Sequence, residues 1–387
     1  MILKYSKLEN ESINEYCHRM FMTVKQEENL SWKQLAEIMN EELGLNYSDW
    51  WYRQREKVCL SSDDDNEDNN ALLELMKAKV KLSDERVQVN ALVRKLSREE
   101  TIKEIALNAA SLMSEKKILK NIPTTCAGVP SKNREGLLLI GDWHYGIEIN
   151  NIFNVYDRDI CVQRVQMLRD NIIEHCLDNQ VFKLKIANLG DMIAGNIHLP
   201  LRINSRIDVL TQIMEVSELL AEFLNDLSQY FVIDYYSVDD NHSRIEPNKN
   251  DSIDLESLCR ITEWYLRQRL KDNKNITFND NVYGDSIATA NIHNYNIAFV
   301  HGHKDNQSTI IDKLNNFTKQ HFDLICSAHM HHFSSDESYN TFMIANGSLM
   351  GTDDYAFNKR LNSDPSQTLI IVSDNNVTEA IYRMVLK

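Results

Sequence analysis

The chain has 387 residues, 43% of them hydrophobic, with a formal net charge of -15 and a pI near 5.3. This length allows two or three domains with a real core, while the acidic balance argues against indiscriminate nucleic-acid binding through overall charge. The seven cysteines are scattered without a Cys-x-x-Cys pair, no apolar run approaches the roughly eighteen residues of a spanning helix, and the first sixteen residues lack the apolar core of a signal peptide. The expectation is a reduced, cytoplasmic protein with no membrane partner.

Residues 1–60 read as a helical module. Ser31 is a plausible N-cap, followed at helical spacing by Trp32, Leu35, Ile38 and Met39, with Gly44 to end the helix. Ser48 caps a second helix that carries Trp50, Trp51, Tyr52, Arg53, Arg55 and Lys57. The pair has the outline of a helix-turn-helix, which would place Arg53, Arg55 and Lys57 on DNA phosphates. The alternative is a small docking domain whose Trp and Tyr side chains are simply core. Residues 61–70, SSDDDNEDNN, hold no apolar residue and read as an acidic linker.

Residues 71–135 read as a long helical connector, broken near Ser97 and ended by the Pro- and Gly-containing stretch 121–133. Leu73, Met76, Val80, Val87, Leu92, Leu96, Ile102, Ile105 and Leu112 form an irregular apolar stripe. Lys77, Lys79, Lys81, Arg86, Arg94, Lys95 and Arg98 make the segment locally basic. The heptad is not strict enough for a long coiled coil. The stripe could pair two subunits through residues 71–117, the basic face could follow a nucleic-acid backbone, or the face could simply be solvated.

From Gly136 to Lys387, short apolar strands alternate with helices. Leu137–Ile140 runs into Gly141-Asp142-Trp143-His144. The strand at 182–189 runs into Gly190-Asp191, and that at 230–238 into Asp239-Asp240-Asn241-His242. The strand at 296–300 ends at His301-Gly302-His303, that at 324–327 at Ala328-His329-Met330-His331-His332, and that at 341–345 at Asn346-Gly347-Ser348. Helices are expected at 158–179, 207–227, 255–271 and 308–319, the last capped by Ser308. Strands at 368–373 and 380–386 close the chain. Carboxyl ends of strands are where α/β sheets bind ligands. Each polar strand end alone reads as a turn, a cap or a solvated loop. It is their recurrence after one strand following another that points to a divalent-metal site built from carboxylate, amide and imidazole.

That ordered set resembles the calcineurin-like metallophosphoesterase superfamily, whose motifs run Asp-x-His, Gly-Asp, Gly-Asn-His, a later His, and Gly-His-x-His. Two positions depart from it, Asp240 and Ala328, each standing where the pattern has Gly, and Ser243 follows His242 where an acid is usual. The resemblance implies a four-layer αββα sandwich over residues 136–387, behind the all-helical N-terminal region. It implies two divalent ions, with manganese expected and iron or zinc also suited to such donors. Asp142, His144, Asp191 and His331 would hold one, and Asp191, Asn241, His301 and His329 the other. A hydroxide shared by the ions would attack phosphorus in line, with His242 as the catalytic side chain beside it. Arg202, Arg206, Arg244 and His303 are the candidates for substrate phosphate, with His198 a weaker one; His332 reads as structural or exposed.

With its N-terminal module, the arrangement is similar to phage and bacterial metallophosphatases of the DNA-repair exonuclease kind. The resemblance implies a metal-dependent nuclease acting on DNA in the cytoplasm, that of a bacterial host if the chain is phage-encoded. A phosphodiesterase or phosphatase for a small nucleotide is the alternative, and fits the acidic charge better. A DNA- or protein-binding scaffold with an inactive metal fold is a third reading, against which the full ligand set counts.

Overall fold

The computed structural model describes residues 5–8, 10–60, 77–86, 88–90, single positions between 93 and 111, 133–197, 199–246, 248–249, 252–253 and 256–387. The chain divides into two compact units, Met1–Ser97 and Arg98–Lys387. The acidic stretch 61–70, the break near Ser97, the turn at 121–130 and His198 lie outside the described residues. So does most of the apolar stripe of the connector; Val80, which is described, is exposed. Among the described residues no helix is long and apolar enough to cross a membrane.

In the N-terminal unit the first helix was not anticipated. Helix α1 starts at Ile13–Arg19, passes through a π-helical stretch Met20–Val24 and finishes as Lys25–Glu27. Ser12 caps it, accepting from Glu15 N while the Glu15 side chain accepts from Ser12 N. This Ser-x-x-Glu capping box is readable in the sequence. Helix α2, Trp32–Leu43, has the same box between Ser31 and Gln34, and Gly44 ends it in the left-handed conformation at φ 64°. Helix α3 spans Asp49–Leu60. Tyr16, Met20, Phe21, Leu35, Met39 and Tyr52 are fully buried between them. Tyr52 keeps its hydroxyl satisfied by donating to Asn40 Oδ1 at 2.8 Å.

Two of the expected DNA-facing cations on α3, Arg53 and Arg55, have protein partners; the side chain of Lys57 lies outside what is described. Arg53 pairs with Asp49 at 3.0 Å, and Arg55 donates to Asn14 Oδ1 at 2.6 Å while lying over the Trp51 ring. Of the aromatic run, Tyr52 is core whereas Trp50 is exposed. Residues 77–86 and 88–90 of the connector are helical and exposed.

The second unit is built on two sheets. The first has six strands: β1 (Arg134–Ile140), β4 (Lys183–Asn188), β5 (Val232–Ser237), β6 (Ile276–Phe278), β12 (Ser366–Ser373) and β13 (Asn376–Val385), in the order β13-β12-β1-β4-β5-β6. Its β1-β4-β5-β6 half is parallel, and β12 and β13 return antiparallel. The second has five: β7 (Ala288–Ile292), β8 (Tyr295–Phe299), β9 (Leu324–Ser327), β10 (Ser334–Ser338) and β11 (Thr341–Ala345), in the order β10-β11-β9-β8-β7. Within it β8, β9 and β11 are parallel. A two-stranded ribbon, β2 (Ile149–Asn150) with β3 (Val155–Tyr156), stands apart.

The side-chain period of two sorts the core. Leu137 and Leu139 of β1, with Ala187 and Tyr236, face Ile297, Phe299, Leu324 and Cys326 of the other sheet. Leu138 and Ile140, with Ile186 and Tyr235, face the other way. There they meet helices α4 (Arg158–Asp178), α6 (Val209–Leu227) and α7 (Cys259–Arg269). On the far side of the second sheet, helix α8 (Ile310–Thr318) packs Ile310, Ile311 and Leu314 on Ala298 and Ile325. The unit is a four-layer αββα sandwich.

Several boundaries differ from expectation. Helix α8 begins at Ile310, with Thr309 as its N-cap position and no side-chain cap bond, while Ser308 spends its hydroxyl on Asn306 Oδ1. Helix α7 starts only at Cys259. Strands β6, β7 and β10 and the ribbon were not foreseen, nor were two short helices, α5 (Leu199–Asn204) and α9 (Asp354–Asn358). The five described free cysteines, Cys17, Cys161, Cys176, Cys259 and Cys326, form no disulfide.

A candidate dinuclear metal centre

The strand ends of both sheets converge. Asp142 and His144 follow β1, Asp191 follows β4, Asn241 and His242 follow β5, His301 follows β8, and His329 and His331 follow β9. Backbone hydrogen bonds tie the loops together: Asp142 N and His144 N donate to Gly190 O and Asp191 O, each at 3.0 Å, and Ala328 N donates to His301 O at 2.9 Å. Gln367, fully buried on β12, clamps the exit of β1 from behind. Its Oε1 accepts from Gly141 N at 2.9 Å, and its Nε2 donates to Gly141 O and to Gly347 O. Ser348 adds a bond to Asp142 O at 2.8 Å.

Ligating atoms of Asp142, His144, Asp191 and His331 all lie within 4.8 Å of one another, and so do those of Asp191, His301 and His329. Asp191 belongs to both groups. Asn241 joins the second through Oδ1, 2.9 Å from His301 Nε2. The seven side chains fall into the two sets that the resemblance implies, with Asp191 between them.

Three features fit this donor set to divalent metal. First, Asp142 Oδ1 and Asp191 Oδ2 are buried without a hydrogen-bond partner, as is His329 Nδ1. The opposite oxygens are engaged, Asp142 Oδ2 by His329 N at 3.0 Å and Asp191 Oδ1 by His242 N at 3.2 Å. A buried carboxylate oxygen left unpaired costs several kcal/mol unless a cation meets it. Second, the Nε2 atoms of His144 and His331 stand 3.1 Å apart, and those of His301, His144 and His242 lie 3.2, 3.8 and 3.8 Å from Asp191 Oδ2. Third, Asp142, His144, Asp191, His329 and His331 all hold left-handed backbone, with φ between 46° and 70°. Such conformations are uncommon outside glycine and cluster at functional sites.

The titration behaviour follows from burial and crowding. Burial, with neighbouring imidazoles, holds His144 well below its ordinary value and brings His331 and His329 down to about 4, so their lone pairs are available at neutral pH. Burial pushes Asp142 well above the carboxylate range, with the Asp191 charge adding to it. Burial opposes ionisation of Asp191 too, but His242 and His301 outweigh it and hold that carboxyl well below its usual range. For His301, burial works downward but the Asp191 charge beside it wins and lifts the imidazole to about 10. His301 Nδ1–H donates to Leu189 O at 2.7 Å, which turns Nε2 toward Asp191 and Asn241.

The three departures from the family pattern have local accounts. Asp240 is buried, and its carboxylate accepts from Ser243 N at 2.6 Å and from Ser243 Oγ at 2.9 Å, closing the loop that carries Asn241 and His242. It packs where Gly190 leaves room: a Cβ on Gly190 would come within 2.5 Å of the Asp240 Cβ. Burial lifts its carboxyl to about 7. Neither Asp240 nor Ala328 has positive φ, so glycine is not needed at either place. With Ser243 committed to Asp240, His242 is held from another side, its Nδ1 donating to Ala194 O at 2.8 Å. Gly195, at φ 71°, permits this, since a Cβ there would lie 2.3 Å from His242 O.

The other candidates divide. Arg244 and His303 both line a cleft of about 260 Å³ that opens beside Asn241 and His329, together with Lys249 and Lys304. Burial lowers His303 to about 3, and its Nδ1 has no partner. Arg202 on α5 is exposed, and Arg206 just beyond is exposed and paired with Glu148 at 2.9 Å; neither lines the cleft. His332 is exposed. Sequence reasoning missed Gln367, whose role depends on register, and Lys249 and Lys304, which carry no motif.

No family model matches the chain. It is 25% identical over 352 residues to the SPbeta prophage-derived uncharacterized protein YonJ of Bacillus subtilis (strain 168), covering 85% of each. Among solved structures it is similar to a zinc-complexed Vps29 from Entamoeba histolytica, at 12% identity over 65% of this chain and 99% of that one, with a TM-score of 0.32. An archaeal phosphodiesterase matches at 14% identity over the same shares, with a TM-score of 0.34.

Proposed function

We propose that this protein is a dinuclear-metal phosphodiesterase and that its substrate is DNA. The observation that carries phosphoester hydrolysis is the convergence of seven metal-type donors on two adjacent points sharing Asp191, at the carboxyl ends of both sheets. When bound, two divalent ions would supply an acidified water as nucleophile and offset charge on the phosphoryl oxygens. Manganese is the ion proposed, with iron or zinc also suited to these donors. His242 is proposed to handle the proton of the leaving oxygen. Ala194 O can only accept, so Nδ1 keeps its proton and exchange falls to Nε2, 3.8 Å from Asp191 Oδ2. Arg244 holds its place by donating Nε to Asn241 O at 3.0 Å, leaving the guanidinium at the cleft.

DNA as substrate is supported by the helical N-terminal unit and by the prophage origin of the relative. A small-nucleotide phosphodiesterase, with the connector serving only to pair subunits, is favoured by the net charge of -15 and by the protein partners of Arg53 and Arg55. The test is cleavage with Mn²⁺ of single-stranded DNA, duplex DNA and bis(p-nitrophenyl) phosphate, comparing wild type with Asp191→Asn and His242→Ala. DNA cleavage lost in both variants and falling steeply with added salt supports the first reading. Reporter hydrolysis without DNA cleavage transfers the site to a small nucleotide. Bound metal with no hydrolysis of any substrate overturns the enzyme reading and leaves a scaffold.

A further inference from the structure

The cleft beside Asn241 and His329 has chemistry that hydrolysis of a phosphoester does not by itself require. In a chain of net charge -15, Arg244, Lys249 and Lys304 gather on one concavity. Ile253, an exposed apolar side chain, and the hydroxyls of Ser252 and Ser257 complete the wall. Asp239 and Asp240 also line it. Asp239 lies near the Cys259 thiol, which is 3.4 Å away, and Asp240 is committed to Ser243, so both acids have partners within the protein. The volume, about 260 Å³, falls just under the range of roughly 300–1,000 Å³ typical of small-molecule sites. It suits one nucleotide unit and is too small for a folded partner.

We propose that this cleft is a subsite for one nucleotide unit whose phosphate is a second one, distinct from the phosphate hydrolysed. Arg244, Lys249 and Lys304 receive that phosphate, and Ile253 offers an apolar face to the base or sugar. Basic side chains on loops are the natural receptors for phosphate oxygens. The same cleft is lined by Asn241 and His329, so the second phosphate would lie beside the one hydrolysed. The inference rests on the proposed phosphodiesterase reading and deepens it, because a substrate with one phosphate leaves the subsite unfilled.

The experiment is calorimetric titration of the full-length, metal-loaded protein with thymidine 5′-monophosphate and thymidine 3′,5′-bisphosphate, in wild type and in Lys249→Ala/Lys304→Ala. Both lysines are on loops, and circular dichroism checks that the variant folds. The expected result is bisphosphate bound at least about tenfold more tightly than monophosphate by wild type, with most of that advantage lost in the double variant. Equal affinity for the two ligands, or an advantage that survives the double substitution, overturns the subsite. Hydrolysis of bis(p-nitrophenyl) phosphate is measured on the same wild-type preparation. Hydrolysis without a bisphosphate advantage removes the subsite alone. A bisphosphate advantage without hydrolysis keeps the subsite and removes the phosphodiesterase reading.

Discussion

The two units differ in how they treat their most deeply buried side-chain hydroxyls and carboxylates. In the N-terminal unit, Tyr16 and Tyr52 are fully buried, yet each hydroxyl finds an acceptor, in Tyr5 O and Asn40 Oδ1. Arg19 is matched bidentately to Glu11. In the second unit the most buried carboxylates, Asp142 and Asp191, each keep an oxygen without a hydrogen-bond partner, on backbone that only a few residue types tolerate. Natural cores satisfy buried polar atoms almost without exception. A cluster that does not, held in place by Gln367, Asp240 and Ala194, is a place where stability is given up for ligation. The N-terminal unit satisfies its buried tyrosines from within, and the second unit leaves donors of metal-ligand type unsatisfied at its strand ends.

The sharpest way to break this contrast is Asp142→Asn. The phosphodiesterase reading predicts a loss of at least about a thousandfold in kcat/KM, some 4 kcal/mol of transition-state stabilisation, in a reporter assay with saturating Mn²⁺. In chelator-treated protein the same change should raise stability by about 1–2 kcal/mol by denaturant titration, because a neutral amide replaces a buried carboxyl. A metal-free variant less stable than wild type would say that Asp142 is structural. Phe21→Ala tests the other side. Phe21 is fully buried against Trp32 and Tyr52, so the N-terminal unit should lose about 3 kcal/mol or more. Its melting should move while the metal-to-protein ratio stays unchanged; a fall in that ratio would end the division of labour.

A smaller effect sharpens the account of the site. In the metal-free cluster Asp191 lifts His301 to about 10, against burial, so the imidazole carries a proton at pH 7. A ligating imidazole must give that proton up, so metal binding at pH 7 should release about one proton from His301. The release should vanish above pH 10, and metal affinity should weaken as pH falls. Calorimetry in buffers of different ionisation enthalpy reads this directly, and heats independent of buffer would refute it.

Much of the site was legible because the sequence writes it as a repeated unit, an apolar strand followed by Asp, Asn or His. Strands β9 and β11 fall where the apolar runs place them, and α4 starts at the expected 158, whereas α6 starts at Val209, two residues past the expected 207, because Asp208 caps it. What was not legible depends on pairs distant in sequence. Gln367 reaches Gly141 across 226 residues, and Asp240 fits only because Gly190 lacks a side chain. The left-handed backbone at Asp142, His144 and Asp191 leaves no compositional mark, since Asp and His occupy it without glycine. Helix α1 is a different case: its Ser12–Glu15 capping box was there to be read, and short apolar spacing across a π-helical turn obscured the period that follows. Arg202 and Arg206 looked as good as Arg244 by composition, and only the folded positions separate them.

The most direct measurement is the metal content of purified protein after equilibration with Mn²⁺ and gel filtration, for wild type and Asp191→Asn. Because Asp191 stands in both ligand groups, the account predicts about two ions per chain in wild type and fewer than about one in the variant, as expected when a shared ligand of a two-metal site is lost. Wild-type protein that retains no metal, or a variant that retains as much as wild type, would contradict it.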